Sequence, residues 1–168
     1  AVIFHSDREL HRAGFTTMRF NFRQAGKSEG IHDEGVGEVQ DVAAASSWLR
    51  GLAPNVPQIL VGYSFGSWCG IRFAKTSQFI NGFIAIGLPT RRFEFEDLNG
   101  FPLPLTVIQG SEDEFGTPDE VQPHLNRVKG PTNLLVVQDA PHLFPGRARE
   151  AATLVAQAAE EMLQQLKG

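Results

Sequence analysis

The sequence predicts one α/β domain of three layers (α/β/α), with a mostly parallel central sheet covered by helices on both faces. Three observations predict it. The strand candidates are short, apolar and unalternating, as strands buried on both faces are. Each is followed by a stretch with helical spacing, the order that parallel crossovers require. One of them, Ile59-Leu60-Val61, runs through Gly62-Tyr63-Ser64-Phe65-Gly66 straight into a helix candidate, Ser67-Trp68-Cys69-Gly70-Ile71-Arg72-Phe73-Ala74.

Taken in order, residues 1–13 place Val2, Ile3, Phe4, Leu10 and Ala13 among charges, and Gly14 is a natural helix stop. Residues 15–22 (FTTMRFNF) are β-branched and aromatic in rough alternation and are expected as a strand. Residues 23–37, rich in Gly and polar side chains, are a loop. Residues 38–52 bring Val39, Val42, Ala43, Ser46, Trp48 and Leu49 near helical spacing, with Glu38 and Asp41 favourably placed at the N-terminal end. Pro54 and Pro57 end this helix before the strand that feeds Ser64.

Beyond the helix after Ser64, residues 82–87 form a short apolar strand that Pro89 closes off. Residues 90–104 are irregular apart from an amphipathic fragment at 93–98. Residues 105–108 are the next strand, and 110–116 an acidic loop. Thr117-Pro118-Asp119-Glu120 is a helix start, with threonine at the cap and proline in the first turn, for a helix running to about Val128. Residues 134–137 are a further strand and 138–146 a loop. The last helix, 147–166, is Ala-rich and carries Leu154, Val155, Ala158, Met162 and Leu166 on one face. No repeat or linker divides residues 1–168, and the connection between the strands at 82–87 and 105–108 is short, so a single domain without a lid is expected.

Composition bounds the function. At 168 residues, with 42% apolar and 20% charged side chains, the chain can bury a sizeable core. Its net charge of −4, without a basic stripe, argues against nucleic acid as a partner. No apolar run reaches membrane-spanning length, and the start lacks signal-peptide features, so no membrane partner is expected. Cys69 stands alone, which excludes an internal disulfide and Cys-based zinc sites; a cytoplasmic setting is the expectation. The sequence leaves the oligomeric state open.

The chemistry gathers where strands end. In an open parallel sheet functional groups collect at the carboxyl ends of strands. Three such loops carry Ser64, Asp113 and His142, in that order. A serine is a weak nucleophile until an imidazole takes its proton and a carboxylate orients the imidazole. Gly-x-Ser-x-Gly at a strand-to-helix turn is the context of a nucleophile elbow, and both Gly62 and Gly66 are expected to be sterically required there. Among five histidines His142 alone follows a terminal strand: His5 and His11 fall on the first helix, His32 in the long loop, His124 within a helix. Asp113 lies a few residues past Ile108, though Glu112, Glu114 and Asp139 occupy loops that could also reach. Gly26-Lys27-Ser28 lacks the earlier glycine of a phosphate loop, which would fall at Asn21, and no His pair has metal-ligand spacing on a helix. No cofactor and no metal are expected.

These residues resemble the α/β-hydrolase superfamily, and more closely its small lidless bacterial members near the dienelactone hydrolases. The matching residues are Arg19-Phe20-Asn21-Phe22-Arg23 with Gly26 and Ser28, Gly35-Val36-Gly37-Glu38 with Asp41, Gly62 to Gly66, Gly110-Ser111-Glu112-Asp113-Glu114, and His142-Leu143-Phe144. The resemblance implies an α/β-hydrolase fold, Ser64 as nucleophile, His142 as base, Asp113 as its orienter, and hydrolysis of an ester-like bond in a small molecule. Relatives carry a strand and an oxyanion loop before the helix that matches residues 1–13. That segment has no counterpart here, which leaves the Phe65 N–H as the one assignable oxyanion donor. The missing strand would lie between residues 15–22 and the strand feeding Ser64. A sheet split there is implausible, so the expectation is a fragment of a protein with two or three further N-terminal strands. Two other functions share the motif: a catalytically impaired member that binds a ligand, and a peptidase or lactonase using the same three residues.

Overall fold

The computed structural model describes residues 1–168. The elements run α1 (Val2–Arg12), α2 (Val36–Leu52), β1 (Gln58–Tyr63), α3 (Phe65–Thr76), β2 (Ile80–Ile86), a short 3-10 turn (Glu96–Leu98), β3 (Leu105–Gly110), α4 (Pro118–Leu125), β4 (Thr132–Val137) and α5 (Ala148–Lys167). The four strands lie in the order β1-β2-β3-β4 and every pair is parallel. The three-layer α/β/α class with a parallel central sheet read from the sequence holds.

Unalternating strands supply both faces of the sheet with apolar side chains. Phe83 and Ala85 of β2 face one core with Leu105 and Val107 of β3, covered by Ile71 and Ala74 of α3 and Val121 and Leu125 of α4. Ile84, Ile86 and Ile108 face the other, covered by Val2 of α1 and by Ala151, Val155, Ala158 and Met162 of α5. The α4 start is built as expected, with the Thr117 N–H donating to Glu120 Oε2 at 2.8 Å. The connection from β2 to β3 contains one 3-10 turn and nothing larger.

One expected strand is missing. Residues 15–22 form no strand, and no backbone N–H from Thr16 to Phe22 meets a backbone carbonyl. The segment is instead tied to α1, where Asp7 accepts from Thr17 Oγ1 at 2.6 Å and pairs with Arg19 at 3.1 Å. The physical reason is the absence of a neighbour: a strand exists only where another chain segment completes its ladder. Between this segment and β1 lies a cavity of about 660 Å³, bordered by Phe15, Thr17 and Leu49 and by Ile59, Val61 and Ser64. Ser64 N–H donates across to Ile86 at 2.9 Å, so strand alternation turns the Val61 and Tyr63 peptide groups away from β2 toward that cavity. The gap lies where the sequence placed a missing strand.

Candidate active site

Parallel strands send all their carboxyl ends to one edge, so the loops after β1, β3 and β4 meet there. The first is a tight elbow. Ser64 has φ 53° and ψ −119°, a left-handed conformation foreign to serine; such a residue costs on the order of 1–3 kcal/mol and persists only where its surroundings enforce it. The enforcement is visible. The Ser64 carbonyl accepts from the Ser67 N–H at 2.8 Å, binding the turn to α3. A Cβ on Gly62 would stand 2.5 Å from the Gly66 carbonyl oxygen, so Gly62 is required. Gly66 is not under the same demand: its Cβ would meet Phe22 at 3.8 Å, an ordinary contact. Phe65 opens α3, and its N–H precedes the first intrahelical hydrogen bond.

The structure brings the three predicted side chains into one line. His142 Nε2 lies 2.7 Å from Ser64 Oγ. Its Nδ1 lies 3.0 and 2.9 Å from the two Asp113 carboxylate oxygens. An ionised carboxylate only accepts, so Nδ1 carries the proton and Nε2 is left to accept from the Ser64 hydroxyl. His142 and Asp113 are 3% and 1% exposed, which keeps these contacts out of competition with water. The rival carboxylates go elsewhere. Glu112 is exposed, Asp139 turns through a left-handed φ of 55°, and Glu114 meets the backbone of His142 rather than its ring.

The surroundings hold each member. Gln109 is fully buried at the end of β3. Its amide donates to Asp113 Oδ2 at 3.1 Å and to the Leu88 and Gly116 carbonyls, while its Oε1 accepts from Leu88 N–H at 2.8 Å. Phe115 N–H donates to the other Asp113 oxygen at 2.8 Å. The imidazole lies between the Tyr63 ring, stacked at 5.6 Å, and the edge-on Phe115 ring at 4.7 Å. Gly87 makes room for it, since a Cβ there would sit 3.1 Å from His142 Cε1. Gly110 has a similar task between loops: its Cβ would strike the Ala140 carbonyl at 2.1 Å.

On the other side of the elbow, the long loop is pinned to α2. The Asp41 carboxylate accepts from Arg23 N–H and from its guanidinium, both at 2.9 Å, and this Arg23 pairing holds the Asp41 carboxyl below its ordinary range. Glu38 is fully buried. Burial alone would push its carboxyl up, but the Asp33 and Gly35 N–H groups it accepts from, with His32 beside it, outweigh that and hold it low. Gly37 and Gly35 leave the space that the Arg23 guanidinium and the Trp68 ring occupy. No three His, Cys, Asp or Glu side chains are grouped as a metal site would need, and no helix is long and apolar enough to cross a membrane.

An alpha/beta hydrolase domain family matches residues 2–167. The chain belongs to that family. Among curated proteins, an uncharacterized protein of Rickettsia prowazekii (strain Madrid E) is 32% identical over 158 residues, covering 89% of this chain and 66% of that relative. The chain thus spans slightly less than two thirds of that protein's length. Among solved structures, an alpha-beta serine hydrolase homologue from Coxiella burnetii is 31% identical with a TM-score of 0.85, covering 93% of this chain and 74% of the other. A Xanthomonas campestris protein described as an α/β serine hydrolase without lid is 30% identical with a TM-score of 0.85, over 95% of this chain and 72% of that one.

For this alpha/beta hydrolase the sequence reading passed over Gln109 and Tyr63 and weighed Glu114 only as a rival to Asp113. Signals existed. Gln109 is an amide directly after the apolar Val107-Ile108 of β3, and Tyr63 is the chain's one tyrosine, set directly before Ser64.

Proposed function

We propose that this protein is a serine hydrolase that cleaves small carboxylic esters or thioesters through an acyl-enzyme on Ser64. The observation that carries the reading is the unbroken line from Ser64 Oγ through His142 to Asp113, at 2.7 and 2.9 Å, on a serine held in a strained turn. In the reaction Ser64 Oγ bonds to the acyl carbon while its proton passes to His142 Nε2. The charge on the carbonyl oxygen is met by the Phe65 N–H. Collapse breaks the bond to the leaving alkoxide or thiolate, which takes the proton from His142. Water then attacks the acyl carbon, giving its proton to the same nitrogen, and Ser64 leaves with that proton as the acid departs. Asp113 stabilises the imidazolium at each stage without being protonated.

The short β2–β3 connection supports small soluble substrates, because it places no covering domain over Ser64. The single, buried Cys69 suits a cytoplasmic setting. The test is hydrolysis of a panel of short-chain nitrophenyl esters and acyl thioesters. Ser64→Ala and His142→Ala are each expected to lower kcat by at least about a thousandfold. Hydrolysis that survives Ser64→Ala unchanged would refute the assignment. A folded protein that cleaves nothing on the panel, yet binds an apolar ligand, would favour a binding role, which the apolar cavity beside Ser64 supports.

A further inference from the structure

The main-chain contacts of His142 carry a further assignment, which rests on the reaction proposed above. We propose that Glu114 and Tyr63 are positioning residues that grip the His142 backbone from both sides and so set the reach of its imidazole to Ser64. The Glu114 carboxylate accepts from the His142 N–H at 3.0 Å. The Tyr63 hydroxyl donates to the His142 carbonyl at 2.9 Å.

The side chains come from different loops, which is what makes the grip informative. Tyr63 ends β1 directly before Ser64, and Glu114 directly follows Asp113. Each neighbour of His142 in the catalytic line therefore supplies, from the adjoining residue, a bond to the His142 main chain. A shift of the histidine loop relative to Ser64 must break the Tyr63 bond, and a shift relative to Asp113 must break the Glu114 bond. The loop is held elsewhere by Ser111 Oγ accepting from Asp139 N–H at 2.8 Å, by the Ala140 carbonyl accepting from Glu112 N–H at 3.1 Å and by the fully buried Phe144. At His142 itself the main-chain N–H and carbonyl meet no other backbone group, so these two bonds are what ties its backbone to the neighbouring loops.

Both groups are in the right protonation state for it. The His142 N–H holds the Glu114 carboxyl below its ordinary range, so it remains an acceptor at neutral pH. Burial, with the Asp113 and Glu114 charges adding, pushes the Tyr63 phenol up to about 12, so it remains a donor. Glu114 is exposed and removable without opening the core. Tyr63→Phe takes away one oxygen and keeps the ring that stacks on His142.

The experiment compares Tyr63→Phe, Glu114→Ala and Glu114→Gln with the unaltered chain. It reads kcat and KM on an ester the protein cleaves, and the downfield proton resonance of His142 Nδ1–H. Displacing a reacting group by about 1 Å costs up to about 100-fold. Tyr63→Phe and Glu114→Ala are accordingly expected to lower kcat about 10- to 100-fold with KM unchanged, and to shift or broaden the Nδ1–H signal. Glu114→Gln keeps a carbonyl oxygen for the His142 N–H and is expected to recover most of the loss. Wild-type kcat and an unmoved resonance in folded Tyr63→Phe and Glu114→Ala would overturn the proposal. A fall in kcat that Glu114→Gln does not relieve, with the resonance unmoved, would likewise overturn it. The resonance is read in unaltered protein whether or not it turns over substrate, so failure of the grip is distinguishable from failure of the hydrolase assignment.

Discussion

The two sides of this sheet are built to different standards. From β2 to β4 each strand is paired as far as the sheet extends, the cores on both faces are closed, and the site loops are locked by buried hydrogen bonds. On the β1 side one strand edge faces a cavity of about 660 Å³, and the segment beyond it makes no ladder at all. Ser64 stands at the boundary. His142 and Asp113 belong to the finished side, whereas the space beside the Phe65 N–H belongs to the open one. The comparison separates two requirements that a nucleophile motif runs together: aligning the nucleophile with its base, and enclosing the charge that develops on the substrate.

Core truncations should expose the contrast most strongly. Phe83 is fully buried, and its ring leaves no room for a Cβ on Gly70, 2.6 Å away. Phe83→Ala is expected to cost about 3–5 kcal/mol in denaturant unfolding. Leu49 already borders the cavity, so Leu49→Ala should cost only about 1 kcal/mol. Equal losses at the two positions would mean that the cavity closes in solution.

Gln109→Leu comes next. It strands the buried Leu88 N–H and Gly116 carbonyl and removes one donor from Asp113. Each unsatisfied group costs about 1–3 kcal/mol, and kcat should fall along with the melting temperature. Retention of both would show that the finished side is less tightly determined than its hydrogen bonds imply. Hydrogen exchange offers a gentler probe. The Val61 and Tyr63 amides, turned toward the cavity, should exchange well ahead of the β2 amides if the open edge persists. Protection equal to that of β2 would show that a strand covers them.

The smallest effect is alkaline. Burial pushes the Cys69 thiol and the Tyr63 phenol up to about 12 from ordinary values of 9.0 and 10.0. The fold therefore favours the neutral form of each group. Their stabilising contribution is whole below those ordinary values and is lost as pH rises toward about 12. The melting temperature should drop by about 2–4 °C for each kcal/mol lost, and Cys69→Ala should flatten the earlier part of the decline.

What the sequence could reveal divides along the same boundary. Helix spacing and apolar runs are local properties, and they located all four strands of the sheet and all five α-helices to within a few residues. Residues 15–22 carry the composition of a strand, but a ladder needs a partner, which composition does not supply. Ser64 was legible because its motif is local, and His142 because it alone among the histidines follows a terminal strand. Gln109, Tyr63 and Glu114 act across loops that meet only in the folded chain, so their residue types could be noticed but not their partners. Gly66 erred the other way: its place in the motif implied a steric demand that the structure puts on Gly62 alone.

The most direct measurement is intact-mass analysis after treatment with a fluorophosphonate, which phosphonylates a serine only when a neighbouring base activates it. The account predicts one adduct on Ser64, lost in Ser64→Ala and strongly reduced in His142→Ala. Folded protein that takes up no adduct, or carries it on another residue, would contradict it.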